Sequence, residues 1–167
     1  MEILPNFIVF EGGDGTGTST QLNLLREKLH PPGRRVFLTC EPTDGPLGRV
    51  IRNVLGGELE LTRETLAFLF AADRHEHLYG QGGVCALCRE GALVVSDRYV
   101  PSSLVYQGID CGDELPARLN KLFPAPQILI YFELDPITAM ERIGKRGKTE
   151  LFEYREFQEK ARRRYLD

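Results

Sequence analysis

The chain has 167 residues, 42% of them hydrophobic and 27% charged, with a formal net charge of −3. That length suits one domain with a real core, and the mild acidity provides no overall attraction for nucleic-acid polymers. No apolar run is long enough to span a membrane, and no basic-then-apolar leader opens the chain, so a cytoplasmic protein is expected.

The first element is the apolar run Phe7 to Phe10, short, β-branched and aromatic, as a buried parallel strand should be. It runs into Gly12-Gly13-Asp14-Gly15-Thr16-Gly17-Thr18-Ser19-Thr20. The phosphate-binding P-loop pattern is G-x-x-x-x-G-K-[ST]. Gly12, Gly17 and Ser19 stand where it requires them, and Thr18 holds the lysine position. The glycines let backbone N–H groups come close to phosphate oxygens. Leu22, Leu25 and Leu29 then recur at helical spacing until Pro31-Pro32-Gly33. Strand, loop and helix in that order aim a helix N-terminus at an anion. The motif assigns residues 12–20 to ATP phosphates and Ser19 to Mg²⁺. The plainer alternative is a glycine-rich turn that binds nothing.

Val36–Thr39 reads as the second strand, followed by the polar turn Glu41-Pro42-Thr43. Thr62 can cap a helix running towards Leu78. Cys85 and Cys88 form a C-x-x-C, but Cys40 and Cys111 do not complete zinc-ligand spacing, and the pair precedes a strand instead of following one. Two small apolar side chains packed against the sheet are therefore expected. Ala92–Ser96 is a third strand, ending at Asp97, where a Mg²⁺-associated carboxylate belongs in a P-loop enzyme. Arg98 follows and can offer its fork to a phosphate; a structural Asp–Arg pair is the alternative. Gln127–Phe132 is the fourth strand. Asp135-Pro136 then places a cap and an N1 proline before a helix at Ile137–Ile143. Arg142, Lys145, Arg146 and Lys148, loosened by Gly144 and Gly147, could form a phosphate-covering lid near 142–153 or a solvated basic face. Strands alternating with helices imply an α/β fold: a parallel sheet, helices on both faces, ligands beyond the carboxyl ends of the strands.

Several segments together resemble the thymidylate kinase family. Asp97-Arg-Tyr-Val-Pro-Ser-Ser-Leu-Val-Tyr-Gln-Gly108 is similar to its D-R-[YH]-x-x-S-x-x-A-Y-Q-G, and Leu69-Phe-Ala-Ala-Asp-Arg-His-Glu-His77 to its L-F-A-A-D-R-x-x-H. Phe7 to Gly15 resembles its F-I-x-F-E-G-x-D-G, Glu41-Pro42 part of its R-E-P, and Leu134-Asp-Pro136 its L-D-P. The resemblance implies a P-loop nucleoside-monophosphate kinase fold and transfer of phosphate from ATP to dTMP with Mg²⁺, for nucleotide biosynthesis, by a homodimer. It implies that Asp14 accepts a hydrogen bond from the sugar 3′-hydroxyl and Phe70 stacks on thymine. Arg74 would hydrogen-bond the base and Arg98 hold the dTMP phosphate. Ser103 would touch the pyrimidine edge, and Tyr106 would pack on the sugar where a 2′-hydroxyl would lie. Ser19 and Asp97 are the implied metal ligands.

The departures cluster on the phosphate side. Thr18 brings no charge where the P-loop lysine would stand, Leu151 replaces the arginine of the family's D-R-x-E lid, and Cys40 replaces the arginine before Glu-Pro. Arg142 and Arg146 match an R-x-x-x-R at the lid entrance, and with Lys148 they are the expected source of the missing charge. After Asp167 the family usually adds a strand and a closing helix. The alternative function is a nucleotide-binding relative with little catalysis, acting as a sensor or partner subunit.

Overall fold

Neighbouring strands all run parallel, in the order β2-β3-β1-β4, in a computed structural model that describes residues 2–29, 33–144 and 151–167. The strands are β1 (Ile3–Gly12), β2 (Val36–Cys40), β3 (Leu93–Asp97) and β4 (Ala125–Phe132). The helices are α1 (Thr18–Lys28), α2 (Pro46–Leu55), α3 (Arg63–Tyr79), α4 (Val84–Arg89), α5 (Val100–Cys111), α6 (Glu114–Asn120), α7 (Pro136–Gly144) and α8 (Arg155–Leu166). Each strand expected from the sequence is present. β1 begins earlier than its apolar run because Ile3 and Leu4 pair with β4, and a bulge then shifts the register before Ile8. Asn6 lies in that stretch in a left-handed conformation, φ 66°.

Alternation along the strands sorts the core into two layers. Phe7, Val9 and Val94 point to one face and pack with Leu78, Val84, Cys85, Cys88 and Tyr99. Phe10 and Val95 point to the other and pack with Leu22 of α1. Cys85 and Cys88 are thus core residues with free thiols, and burial pushes the Cys88 thiol up to about 11. A third cluster lies away from the sheet, where Ile51, Val54, Leu66, Val105, Tyr106, Phe152 and Ala161 join α2, α3, α5 and α8. β4 differs from a buried parallel strand. It forms the sheet edge, and Ile128, Leu129 and Ile130 remain 47%, 49% and 40% exposed.

Both expected caps form. The Thr62 hydroxyl accepts from the Thr65 N–H at 3.2 Å, and the Asp135 carboxylate accepts from the Thr138 N–H at 3.2 Å. No described helix is long and apolar enough to cross a membrane.

Register decides where the chemistry sits. Phe10 pairs with Asp97 and Cys40 pairs with Asp97, so the loops after β1, β2 and β3 leave the sheet side by side. The chain crosses from β3 to β4 on the far side of β1, which opens a crevice beyond the carboxyl ends.

Candidate active site

The P-loop spans residues 13–17, between the end of β1 and the first residue of α1. Gly15 has φ +80°, and a Cβ there would stand 2.6 Å from the Ala139 carbonyl oxygen, so only glycine lets α7 approach so closely. Gly17 caps α1 in the left-handed region at φ 99°. Thr18 is the first helical residue and is buried. The loop encloses a polar cavity of about 560 Å³ lined by Gly13, Asp14, Gly15, Gly17, Thr18 to Thr20, Arg98 and Glu153. Arg142 reaches the same loop from α7, its Nη1 lying 3.5 Å from the Gly15 carbonyl oxygen.

Beside the loop, Ser19 Oγ donates to Asp97 Oδ2 at 2.5 Å. Asp97 is 7% exposed, and its Oδ1 is buried with no hydrogen-bond partner. A hydroxyl and a carboxylate with one free oxygen fit a Mg²⁺ ion that takes its remaining ligands from water and phosphates. Among the described residues no group of three or more His, Cys, Asp or Glu side chains could hold a metal alone.

Arg98 follows β3 in a left-handed conformation, φ 72°, its N–H donating to the Phe10 carbonyl at 2.8 Å. The side chain is thereby turned over the P-loop. Nη2 contacts Asp14 Oδ1 at 2.6 Å, Nη1 donates to Ser102 Oγ at 3.1 Å, and the guanidinium lies 5.2 Å from the centre of the Tyr106 ring. Burial alone lowers its pKa, but the surrounding phenols and acids, Asp14 and Glu11 among them, hold it well above the ordinary arginine value. Asp14 Oδ2 accepts from the Tyr106 hydroxyl at 3.1 Å and from Gln158 Nε2 at 2.7 Å.

A second cavity, about 600 Å³, adjoins the first and shares Asp14, Arg98 and Glu153 with it. Its other walls include Phe70, Arg74, Tyr99, Ser103, Tyr106, Gln107 and Phe152. The sequence-predicted residues Asp14, Phe70, Arg74, Arg98, Ser103 and Tyr106 therefore line one space. Arg74 is 1% exposed and is engaged by the protein on all three nitrogens. Nε and Nη2 pair with Glu41 at 2.8 and 2.7 Å, and both Nη atoms donate to Ser103 Oγ. Nη1 also donates to Asn120 Oδ1. Glu41, not the neighbouring Asp73 or Glu76, is its acid partner. Asp73 instead accepts from the Thr43 N–H and hydroxyl.

Some residues of the site were given no role by the motifs, even where, like Glu11, they stand in one. Glu11 is fully buried and accepts from Tyr99 N–H, Ser102 N–H, Ser102 Oγ and the Tyr165 hydroxyl. It shares its face with Phe7 and Val9, so the period of the strand aims it at the N-terminus of α5, which it caps. Burial pushes its carboxyl above the ordinary range, against the lowering effect of Arg98 and the donors. Gln158 and Asn120 join the site from helices far along the chain, and nothing local in their sequence signals it. Gln107 does carry a signal: it follows Tyr106 in the D-R-Y segment, and its buried Oε1 lacks a partner beside the second cavity. Arg146 and Lys148 lie outside the described residues.

A family model described as thymidylate kinase matches residues 10–167. A Treponema pallidum protein provisionally described as a thymidylate kinase is 51% identical over 166 residues, which are 99% of this chain and 79% of that protein. A similarly described Methanococcus aeolicus protein is 40% identical over 96% of this chain and 78% of its own length. Among solved structures, thymidylate kinase from Candida albicans superposes with a TM-score of 0.75 at 27% identity, covering 97% of this chain and 76% of that one.

Proposed function

The chain belongs to the thymidylate kinase family, and from that premise we propose that it transfers the γ-phosphoryl group of ATP to dTMP, yielding dTDP and ADP. The observation that carries this reading is the pair of adjoining cavities. One is lined by backbone and small polar side chains, the other by aromatic and buried polar ones, and Arg98 and Asp14 stand where they meet.

dTMP fits the second cavity. Phe70 stacks on the base and Ser103 meets its edge, while Arg74, its N–H groups committed to Glu41, Ser103 and Asn120, holds Ser103 in place. The unpartnered Gln107 Oε1 is matched to a pyrimidine N3–H, which must donate somewhere when buried. Asp14 accepts from the 3′-hydroxyl, and Tyr106 closes the sugar face. Arg98 holds the acceptor phosphate at the junction.

ATP phosphates fit the first cavity, against the backbone and hydroxyls of residues 12–20. An oxygen of the dTMP phosphate attacks the γ-phosphorus in line. The new P–O bond forms as the bond to the β–γ bridging oxygen breaks, and its electron pair leaves on ADP. No covalent enzyme intermediate is needed, so positioning and charge neutralisation do the work. Ser19 and Asp97 would hold Mg²⁺, which would supply positive charge to the bound phosphates. Thr18 can add only a neutral hydrogen bond. Arg142 takes over part of the lysine's charge, with Arg146 and Lys148 as further sources. Its 3.5 Å approach to Gly15 supports that role.

The reading extends to a cytoplasmic homodimer. Exposed Phe68 on α3 and Leu104 on α5 support self-association through those helices, and sedimentation velocity tests it: one species at twice the chain mass is expected. For the activity, ADP release is followed with ATP and Mg²⁺, with and without dTMP. Release that depends on dTMP is expected; equal rates with and without it defeat the reading.

A further inference from the structure

Gln158 makes three hydrogen bonds while only 3% exposed. Its Oε1 accepts from the Asp14 backbone N–H at 3.0 Å. Its Nε2 donates to Asp14 Oδ2 at 2.7 Å and to the Phe152 carbonyl at 2.9 Å. The amide has a single sensible orientation, since exchanging O and N would face a donor with a donor and two acceptors with an acceptor. The same Oε1 stands 3.1 Å from where a Cβ on Gly13 would be, so the residue is wedged directly against the P-loop.

This clamp sets what Asp14 has left to give. A carboxylate has about four lone-pair directions. On Oδ2, Gln158 and Tyr106 occupy both, and on Oδ1, Arg98 occupies one. One direction on Oδ1 remains, beside the Arg98 guanidinium at the junction of the two cavities. A second element of α8 braces the same corner: the Tyr165 hydroxyl bonds to Glu11, next in the chain to the P-loop.

We propose that Gln158 is a positioning residue that orients the Asp14 carboxylate so that its one open acceptor direction meets the sugar 3′-hydroxyl, and thereby sets the preference for nucleotides that carry this hydroxyl. The inference rests on the dTMP kinase reading above. Gln158 touches neither substrate; it acts through Asp14.

The test compares dTMP with 3′-deoxythymidine 5′-monophosphate in the natural protein, in Gln158→Leu and in Gln158→Glu. Leucine keeps the bulk and removes all three bonds. Glutamate keeps the shape but sets a second carboxylate against Asp14. Each protein is assayed for kcat/KM with both nucleotides and, independently of turnover, for Kd by calorimetry. The natural protein prefers dTMP. In both variants dTMP weakens by about tenfold, the scale of one charge-assisted hydrogen bond, while the 3′-deoxy compound changes by less than about twofold, so the preference collapses. Equal losses for the two nucleotides overturn the proposal and leave Gln158 a strut of the fold. An unchanged preference overturns it as well. Failure of the natural protein to bind either nucleotide defeats the underlying reading instead. If Gln158→Leu does not fold, Gln158→Glu decides alone.

Discussion

The two adjoining cavities are built on opposite plans. The wall of the second cavity contains side chains committed to one another: Arg74 bridges Glu41, Ser103 and Asn120 with 1% of its side chain exposed, and Glu41 has 3%. The P-loop cavity is lined by three glycines, the hydroxyl residues Thr18 to Thr20 and three charged side chains, Asp14, Glu153 and Arg98, the last from the end of β3, and Arg142 reaches the loop from α7. A recognition wall gains from rigidity, because a buried polar group without its partner is costly and so holds its place. A phosphate cradle needs N–H groups and positive charge, and charge can arrive from any neighbouring element.

Removing Arg74 breaks the first half of that contrast most directly. Arg74→Met leaves Glu41 buried without its guanidinium and should cost about 3–5 kcal/mol in urea unfolding. Arg118→Met, which removes an exposed arginine from a 3.8 Å surface pair, should cost less than about 1 kcal/mol. Similar values for the two would mean that the wall is not held by this pair. At the junction, Arg98→Ala should lower dTMP-dependent kcat/KM by roughly 10²–10³, the scale of one preorganised donor to a transition-state oxygen. On the P-loop side, Arg142→Ala should lower kcat by roughly tenfold, less than a buried donor's loss because the side chain is exposed. Thr18→Lys in that background should recover most of it. No recovery would mean that Arg142 and position 18 do not serve the same phosphates.

The smallest effect sharpens the comparison through pH. The Glu11 pKa is raised in the folded chain from its ordinary 4.5, so the folded state holds that proton more tightly than the unfolded one. Its stabilising contribution is full below the unfolded pKa and is lost as pH rises through the folded value. Urea unfolding followed upward in pH from the ordinary carboxylate range should show this slope, and Glu11→Gln should flatten it. A steeper slope in Glu11→Gln would reverse the sign assigned here.

Much of this was legible from residue order. The four apolar runs became the four strands, and glycines 13, 15 and 17 lie in the loop that follows β1, the last two at positive φ. Asp97 and Arg98 fell at the end of β3, beside Ser19 and Asp14. The early start of β1 was not legible, because Pro5 and Asn6 interrupt an apolar pattern that β4 nevertheless pairs across. Nor was the exposure of β4, since an apolar run reads as buried whether it lands at the centre or at an edge.

The local signals were sufficient wherever the physics is local. Strand period, capping, glycine conformations and the spacing of a phosphate loop depend on residues a few positions apart, and local residue order alone constrains them. The pairing of Arg74 with Glu41 across 33 residues, of Arg142 with Gly15 across 127 and of Gln158 with Asp14 across 144 depends on the order in which strands enter the sheet. Only the tertiary structure decides that order, because each of these side chains would satisfy its hydrogen bonds equally well with any suitable group that the crossovers brought near.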